Sequence, residues 1–413
     1  MSQYLPYGNF EWVNVTPNID ENFILSLKDN SETGYIFQVD LEYPDHLHTL
    51  HNDYPLAPER LTLTEDMLSS YARSLLTSKY KGTPKLIPNL MNKVKYTVHY
   101  RNLKLYLQLG MKLQTVHKVL KFNQSPWLRS YINFNTDRRK EAKSSFEKDF
   151  FKLLNNSIYG KTMENLRKRK NIELCNDSTR AQKLAASPNF KGMRIFENNL
   201  VAVERLKPTV TMNRPIYVGF CILELSKYLM FDFHYNVIKN HYGNKATLLF
   251  TDTDSLAYVI ETPSIRADLE HFKSHFDFSD YPHDDPLHDD INKKVIGKFK
   301  DELNGKIAYQ FVGLKAKMYS LKSSAGEQNR AKGVSTRIVR NKLTHDDYVT
   351  CLQDQHTNYA IHTRINQQCH QLYTIKQNKK CLSPFDDKRY ILNDGITSYA
   401  YGHKDIKKYE NCV

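Results

Sequence analysis

Paired cysteines and long apolar runs are both missing from this sequence of 413 residues. No C-x-x-C pair occurs, and the scattered cysteines resemble neither a disulfide framework nor a zinc site; they lie at Cys175, Cys221, Cys351, Cys369, Cys381 and Cys412. There is no N-terminal apolar signal and no apolar segment of membrane-spanning length. We therefore expect a soluble, intracellular protein without a membrane partner. The sequence does not distinguish nucleus from cytoplasm.

Acidic residues are also scarce relative to basic ones. Lys and Arg number 59 and Asp and Glu 45, which gives a formal net charge of +14 at pH 7. This excess favours an anionic partner, of which nucleic acid is the commonest, although a generally solvated basic surface has the same composition. The hydrophobic fraction of 40% is typical of a globular protein, and the length predicts two or three subdomains.

Two aspartates lie between two apolar runs in ATLLFTDTDSLAYVIE (246–261). The pattern predicts two strands joined by a tight turn that contains Asp252 and Asp254. Strand alternation places both carboxylates on one side of the chain, with Thr253 opposite. Such close carboxylates repel unless a cation lies beside them, and Mg²⁺ at a site of this kind commonly serves phosphoryl transfer. The alternative is an Asp-rich surface turn.

A second pattern lies in KLLNNSIYG (152–160). Lys152, Asn156 and Tyr159 are spaced i, i+4, i+7, so they share one face of a helix. That face offers a cation for a triphosphate and an aromatic ring for a base or sugar. Gly160 allows another backbone or a base pair to come close. The alternative is an amphipathic helix with its Tyr in the core and its Lys in solvent.

Together, the K-x-x-x-N-S-x-Y-G and D-T-D-S motifs resemble those of family B DNA polymerases. The similarity is greatest to the protein-primed subgroup, known from bacteriophages, adenoviruses, linear plasmids and virus-like DNA transposons. A third segment, KAKMYSL (315–321), resembles the K-x-Y motif of that subgroup, with Lys317 and Tyr319. The resemblance extends over essentially the whole chain, most clearly from 93 to 333.

The resemblance implies template-directed DNA synthesis from deoxynucleoside triphosphates (dNTPs) with two Mg²⁺ ions. Asp254 is expected to ligate the metals with the assistance of Asp252, and Lys152 to bind the incoming triphosphate. Tyr159 is expected to pack against the incoming nucleotide and help to exclude a ribose 2′-OH. Asn156 is expected to support the same pocket.

The K-x-Y residues, Lys317 and Tyr319, are expected from the resemblance to contact the primer and template near the active site. The implied partners are a DNA primer-template, dNTPs and a terminal priming protein. Phe250 stands where the family usually has Tyr, two residues before the first Asp. The ring is kept and a hydroxyl is lost, so we expect little consequence.

The fold class implied is α/β (α+β), with palm, fingers and thumb and an antiparallel palm sheet. We expect an incomplete palm edge plus an insertion at 1–92 and a fingers region with the motif helix at 93–170. The palm, with the D-T-D-S hairpin and the K-x-Y motif, is expected at 171–322, and the thumb and C-terminal region at 323–413.

Apolar periodicity gives further local expectations. It predicts a strand at 34–40, a helix at 93–110 that stops at Gly110, and a strand at 115–122. It also predicts one long helix over 136–160, a variable connector at 171–200, and a buried helix over most of 214–238.

The family's mechanism needs a further carboxylate from an upstream D-x-x-S-L-Y-P motif, for which there are two candidates. Asp40, in VDLEYP, ends a predicted strand, but its tyrosine follows too early and the Ser-Leu pair is absent. Alternatively, the opening MSQYLP matches the tail of D-x-N-N-L-Y-G-x-A-M-S-Q-x-L-P, the form found in transposon-like members. That register puts the missing Asp roughly nine residues before Met1, so we expect a chain truncated at its N-terminus.

Two charged segments have alternative interpretations. HDDPLHDD (283–290) has the composition of a metal site, but its Pro and dense charge indicate a solvated loop. RKRK (167–170) is consistent with a phosphate-contacting patch, a localisation signal or a solvated face.

Three functional hypotheses stay open from the sequence. The first is a DNA polymerase or its polymerase-domain fragment. The second is a catalytically inactive DNA-binding remnant of such an enzyme, which lacks the upstream Asp. The third is a reverse transcriptase, which shares the paired aspartates but does not have the motif helix at 152–160.

Overall fold

A computed structural model describes residues 1–368 and 371–410 as a mixed α/β fold with antiparallel sheets. The strands are β1 Leu5–Val13, β2 Thr33–Glu42, β3 Glu59–Leu61, β4 Lys85–Ile87, β5 Lys93–His99, β6 Lys112–Ser125, β7 Asn171–Cys175, β8 Phe190–Glu197, β9 Leu200–Arg205, β10 Ala246–Thr251, β11 Leu256–Ile260, β12 Ala308–Lys315, β13 Met318–Ser323, β14 Gly326–Ala331, β15 Asn358–Gln368, β16 Gln371–Leu382, β17 Tyr390–Ile391 and β18 Ser398–Tyr399.

The α-helices are α1 Glu21–Ser26, α2 His48–His51, α3 Ser70–Ser74, α4 Tyr100–Gln108, α5 Arg129–Glu141, α6 Ser145–Thr162, α7 Ser178–Ala185, α8 Ile216–Asp232, α9 Asn240–Tyr242, α10 Ile265–His271, α11 Thr336–Lys342, α12 His345–Gln353 and α13 Ile406–Glu410. None of the helices in the described part of the chain has the length and apolar character needed to cross a membrane.

The largest sheet has the order β1-β6-β2-β5, with every neighbouring pair antiparallel. Phe37, Val39 and Leu41 alternate along β2 and are buried in the main hydrophobic cluster. Leu103 of α4 and Phe231 of α8 belong to the same cluster, so these helices cover the apolar face of the sheet. The strands predicted at 34–40 and 115–122 are confirmed, and both are longer than expected.

The helix predicted over 93–110 is wrong in its first half. Residues from Lys93 to His99 form β5, which pairs antiparallel with β2, and α4 begins only at Tyr100. Val98 is fully buried there. Its β-branched side chain suits a pleated strand, and pairing with β2 outweighs the local helical spacing. The predicted stop is confirmed, since Gly110 adopts φ +100°, a left-handed conformation that favours glycine.

The long helix predicted over 136–160 is two helices, α5 and α6. The break follows from a capping box: the Ser144 side chain accepts a hydrogen bond from the Glu147 N–H, and the Glu147 carboxylate accepts one from the Ser144 N–H. The two helices pack against each other, and Asn135 Nδ2 donates to Asn155 Oδ1 at 2.9 Å. The segment predicted as one helix therefore belongs to two separate elements.

The connector predicted at 171–200 contains regular structure that the sequence did not reveal. Strands β7, β9 and β8 form a three-stranded antiparallel sheet, with α7 packed against it. Cys175 and Val203 are buried beneath α7. Glu173 on β7 pairs with Arg180 of α7 and with Arg205 of β9. Ile172 and Leu174 alternate along β7 and are exposed, so apolar alternation does not mark the buried face of this small unit.

The buried helix predicted within 214–238 is confirmed as α8, which continues as a π-helical stretch, Phe233–Lys239. A Cβ added at Gly219 would lie 2.5 Å from Met163 Sδ and 2.5 Å from Thr162 Oγ1. A larger side chain at this position would therefore push α8 away from the C-terminal end of α6. This close approach packs α6, the helix that carries the second sequence motif, against α8, the helix that leads toward β10.

The C-terminal part of the chain returns to pack on the segment that follows β2. Arg389 donates to the Asn52 carbonyl oxygen at 2.9 Å and to Ser398 Oγ at 2.7 Å. Asp387 pairs with Lys85. A hydrophobic cluster contains residues from both segments, namely Leu63, Leu68, Ala72, Ile87, Tyr390, Tyr401 and Ile406.

The HDDPLHDD segment is a loop, as predicted. Asp285 within it pairs with Arg266 of α10 at 2.5 Å, and Leu287 is buried in a small cluster with Phe278 and Tyr281. Across residues 1–368 and 371–410, no group of three or more His, Cys, Asp or Glu side chains is arranged to hold a metal ion. The acidic composition of this loop therefore has a local structural explanation.

Buried histidines predict that acid destabilises the fold. Burial lowers the pKa of His51 to about 4 and those of His99 and His234 to about 3, from 6.5. The unfolded chain binds these protons near pH 6.5 and the folded chain does not. The free energy of unfolding therefore falls as the pH drops below 6.5, and the His51 contribution continues to fall until about pH 4.

Urea unfolding at pH 7.5 and 5.0 measures this effect. We expect His51 alone to remove about 2 kcal/mol between these two values, a range in which most carboxylates remain ionised. The His51→Gln variant cannot titrate at this position, so it is expected to show a smaller difference between the two pH values. Equal losses in the variant and the wild-type chain would contradict the assignment to His51.

Candidate active site

Asp252 and Asp254 lie at the turn of the β10–β11 hairpin, which confirms the predicted hairpin. The Asp252 N–H donates to the Ser255 carbonyl oxygen at 3.0 Å, and the Ser255 N–H donates to the Asp252 carbonyl oxygen at 3.2 Å. Thr253 has φ +59°, a left-handed conformation that is strained for a β-branched residue. Turn geometry, and not the strand alternation assumed from the sequence, therefore directs the two carboxylates.

A second hairpin, β12–β13, brings a cation to this turn. Lys317 lies in the short connection between the strands, with φ +61°. Its Nζ is 3.0 Å from Asp252 Oδ1. The Thr253 hydroxyl donates to the same oxygen at 3.3 Å. The structure therefore joins the D-T-D-S and K-x-Y motifs, and gives Lys317 a contact that sequence reasoning missed.

Three aromatic rings align the two hairpins. Phe250 of β10 stacks on Tyr319 of β13 with ring centroids 4.3 Å apart, and on Phe311 of β12 at 5.7 Å. Burial raises the pKa of Tyr319, so its hydroxyl stays protonated at neutral pH. Phe250 makes these contacts through its ring. A Tyr at this position would have the same ring.

Lys152, Asn156 and Tyr159 lie on α6, as the sequence predicts. Lys152 and Asn156 are exposed and Tyr159 is half-buried. Ile158, on a different side of the helix, packs into the hydrophobic cluster that includes Val218 of α8. Among the described residues, no hydrogen bond or ion pair joins these three side chains to the carboxylate turn. Their roles toward a nucleotide stay predictions.

Asp40 forms its contacts within the main sheet. Its Oδ1 accepts a hydrogen bond from the Lys95 N–H at 2.6 Å and lies 2.8 Å from His117 Nε2. The strand pairing of β2 shifts register next to Asp40 on both sides, and Lys95 has φ +50°. The Lys95 hydrogen bond lowers the pKa of Asp40, and His117 lowers it further. The carboxylate therefore stabilises an irregular part of the sheet, and its role as a metal ligand stays a prediction.

Sequence reasoning missed the residues that support the carboxylate hairpin. The Tyr258 hydroxyl lies 2.9 Å from His234 Nδ1, and the His234 ring lies 5.3 Å from the Tyr54 ring. Tyr54 is far from the hairpin in the chain, so no periodicity or motif spacing could have revealed this contact. His234 lies within the predicted helix, where an apolar neighbourhood gave no sign of a specific partner.

The architecture is similar to a DNA polymerase fold, which confirms the predicted fold class. Three of the similar solved structures are of Phi29 DNA polymerase. Its complex with primer-template DNA, a post-translocation binary complex, gives a TM-score of 0.52 at 13% identity. The ternary complex with primer-template DNA and incoming nucleotide substrates gives 0.51 at 15%, and an orthorhombic crystal form gives 0.53 at 12%.

Each of these comparisons covers 92% of this chain and 55% of the Phi29 chain. The chain therefore spans about half the length of the polymerase structures that it matches. At this level of identity the similarity establishes the fold and leaves the activity to be argued from the residues. Comparison with protein-family models and with curated proteins gives no match.

Proposed function

We propose that this chain carries the polymerase part of a DNA-directed DNA polymerase of the protein-primed type. The observation that carries the proposal is the meeting of the two hairpins. Asp252 and Asp254 lie at the turn of one, and Lys317 of the other pairs with Asp252. Two motifs that are separate in the sequence thus form one charged site. The similarity to polymerase structures supports the proposal.

The chemistry of this site fits a divalent metal ion. Asp252 is half-buried and Asp254 is exposed, and both offer hard oxygen ligands. Mg²⁺ in phosphoryl-transfer sites is commonly held by one or two carboxylates together with substrate phosphates. We propose two Mg²⁺ ions, held chiefly by Asp254 with Asp252 assisting. When bound, they would neutralise charge on the triphosphate and lower the pKa of the primer 3′-OH.

The charges around the turn also come from the chain itself. The Lys317 ammonium beside Asp252 Oδ1 offsets part of the repulsion between the two aspartates. On α6, Lys152 presents an exposed ammonium suited to a triphosphate. Tyr159 and Asn156 share its face, so an incoming nucleotide held by Lys152 would lie against an aromatic ring and an amide.

The β15–β16 strand pair supports DNA as a partner. The sequence from 358 to 382 contains no Asp or Glu, while four side chains supply positive charge: Arg364, Lys376, Lys379 and Lys380. Most described side chains of the pair are exposed. Such a ribbon can contact backbone phosphates without reading the base sequence. We propose a primer-template duplex as its partner. A terminal priming protein is proposed on the motif resemblance alone.

A second candidate function is DNA binding without catalysis. One observation favours it: in the described residues, no third carboxylate joins Asp252 and Asp254 in a group able to hold a metal ion. Such a chain would keep the basic ribbon and the nucleotide-facing helix and lose the chemical step. The two candidates therefore make the same prediction for DNA binding and opposite predictions for synthesis.

Primer extension tests the proposal. We expect the chain to add templated nucleotides to a primed DNA strand when Mg²⁺ and all four dNTPs are present. Tight DNA binding without extension would favour the second candidate. A version extended upstream through D-x-N-N-L-Y-G then shows whether the upstream carboxylate restores synthesis. A clear preference for an RNA template would instead support a reverse transcriptase.

A further inference from the structure

We propose that His234, held in place by Tyr54, is a positioning residue that fixes the carboxylate hairpin from outside it. On β11, the Tyr258 hydroxyl lies 2.9 Å from His234 Nδ1, and the two rings are stacked at an interplanar angle of 13°. On β10, the Ala246 carbonyl oxygen accepts a hydrogen bond from Lys239 Nζ at 2.7 Å. The carboxylate turn therefore lies beyond two fixed points, one on each strand.

Tyr54 is itself held on several sides. Its ring packs against Phe231 with centroids 4.5 Å apart, and stands almost perpendicular to the His234 ring at 5.3 Å and 88°. The Tyr235 hydroxyl donates to the Tyr54 carbonyl oxygen at 2.5 Å. Both the backbone and the ring of Tyr54 are thus fixed by the chain that enters the hairpin. Tyr54 therefore keeps the His234 ring in place beside Tyr258.

The residues just before Tyr54 are tied to the C-terminal part of the chain. Asn52 Oδ1 accepts a hydrogen bond from the Ala400 N–H at 2.9 Å and from the Arg389 guanidinium at 3.2 Å. His51 Nδ1 lies 2.8 Å from the Tyr43 hydroxyl, and the His51 ring packs against Tyr235. The residues from His51 to Tyr54 are therefore held by contacts with the chain around the β17–β18 strand pair and with Tyr235, which precedes the carboxylate hairpin.

The π-helical stretch presents His234 to the hairpin. Its wider turn, which is uncommon and is often found at functional sites, places His234 and Tyr235 side by side in the interior. At its end, Lys239 Nζ donates to the Ala246 carbonyl oxygen at 2.7 Å, where β10 begins. The α8 helix and its π extension thus contact the hairpin at its base as well as at Tyr258.

External support matters here because the turn is strained. Thr253 holds a left-handed conformation, and β11, which follows the turn, is fixed at Tyr258. If Tyr258 is released, the turn can relax and both carboxylates move. The catalytic consequence rests on the proposed function, because small displacements of reacting groups cost about 100-fold in rate. The structural consequence can be measured without any activity.

The Tyr258→Phe variant removes one hydroxyl and keeps the ring. We expect its amide hydrogen exchange at Asp252 and Ser255 to rise about fivefold. In primer extension we expect kcat to fall about tenfold, with the KM for dNTP and the Kd for DNA changed by less than about twofold. The control, Tyr7→Phe, removes a hydroxyl from a side chain that is 57% exposed, and it is expected to match the wild-type chain.

A double variant tests the contact itself. If His234 acts through Tyr258, His234→Phe combined with Tyr258→Phe should raise exchange no further than either change alone. Additive effects, or exchange that rises equally in β2 and β6, would overturn the positioning role. Unchanged exchange at Asp252 and Ser255 would overturn it as well. If the wild-type chain fails to extend primers, the proposed function fails, and the exchange results alone decide whether the hairpin is positioned in this way.

Discussion

Replacing Asp254 by Asn is expected to reduce templated nucleotide addition by at least about 1,000-fold. Asp254 is exposed at the turn, and in the described residues its side chain forms no ion pair. The amide keeps the size of the carboxylate and removes the charge that a metal ion requires. Single-turnover primer extension measures the effect on the chemical step, and the thermal midpoint of unfolding should stay within about 2 °C of the wild-type value.

A matched control is Asp346→Asn, which neutralises an exposed carboxylate in the first turn of α12. It is expected to keep activity within about twofold, since an exposed charge at a helix start has only a small effect on stability. The Asp252→Asn variant is a less specific test of metal binding than Asp254→Asn, because it also breaks the contact with Lys317. Retention of more than about a tenth of wild-type activity by Asp254→Asn would show that this carboxylate does not hold the catalytic metal.

Local patterns in the sequence predicted those elements whose structure depends on neighbouring residues. The β10–β11 hairpin follows from two short apolar runs around a turn, and α8 from a long apolar stretch. Lys152, Asn156 and Tyr159 share a helical face because i, i+4, i+7 spacing guarantees it once the helix forms. For these features the pattern and the final structure depend on the same few residues.

Features that depend on distant partners escaped prediction. The 93–99 segment has helical spacing, yet it becomes β5 because β2 offers an open edge for pairing. The sheet at 171–205 has short strands that pair with one another and pack against α7. Similarly, the contact between the Tyr54 and His234 rings joins residues from distant parts of the chain. A single sequence carries no local signal for any of these pairings.

The interpretation of Lys317 changed most between sequence and structure. From the motif alone it is a primer or template contact. In the structure its ammonium lies 3.0 Å from Asp252 Oδ1. A lysine that pairs with a carboxylate proposed to bind a metal ion can be displaced when a metal ion or a phosphate arrives. The contact of Lys317 with Asp252 and its proposed contact with DNA are thus compatible, because Lys317 would release Asp252 when it binds DNA.

Replacing Lys152 by Ala is expected to lower kcat/KM for dNTP incorporation by about 100-fold, with the larger part of the change in KM. Lys152 is exposed on the face of α6 that it shares with Asn156 and Tyr159, so its loss should not disturb the fold. A charge-assisted hydrogen bond to a phosphate contributes about 1.5–3 kcal/mol, which corresponds to roughly 10- to 150-fold. Steady-state extension of a primed template at varied dNTP concentration separates the two parameters.

The matched control is Lys161→Ala on the same helix. Lys161 is also exposed, and its ammonium pairs with Glu164 at 3.1 Å, a surface contact that contributes little to stability. By helical geometry it lies on the side of α6 opposite to Lys152. We expect this control to change kcat/KM by less than about threefold and to leave DNA binding unchanged. Equal losses in the two variants would mean that α6 contributes general positive charge toward DNA. A loss specific to Lys152 identifies the face of α6 that meets the incoming triphosphate.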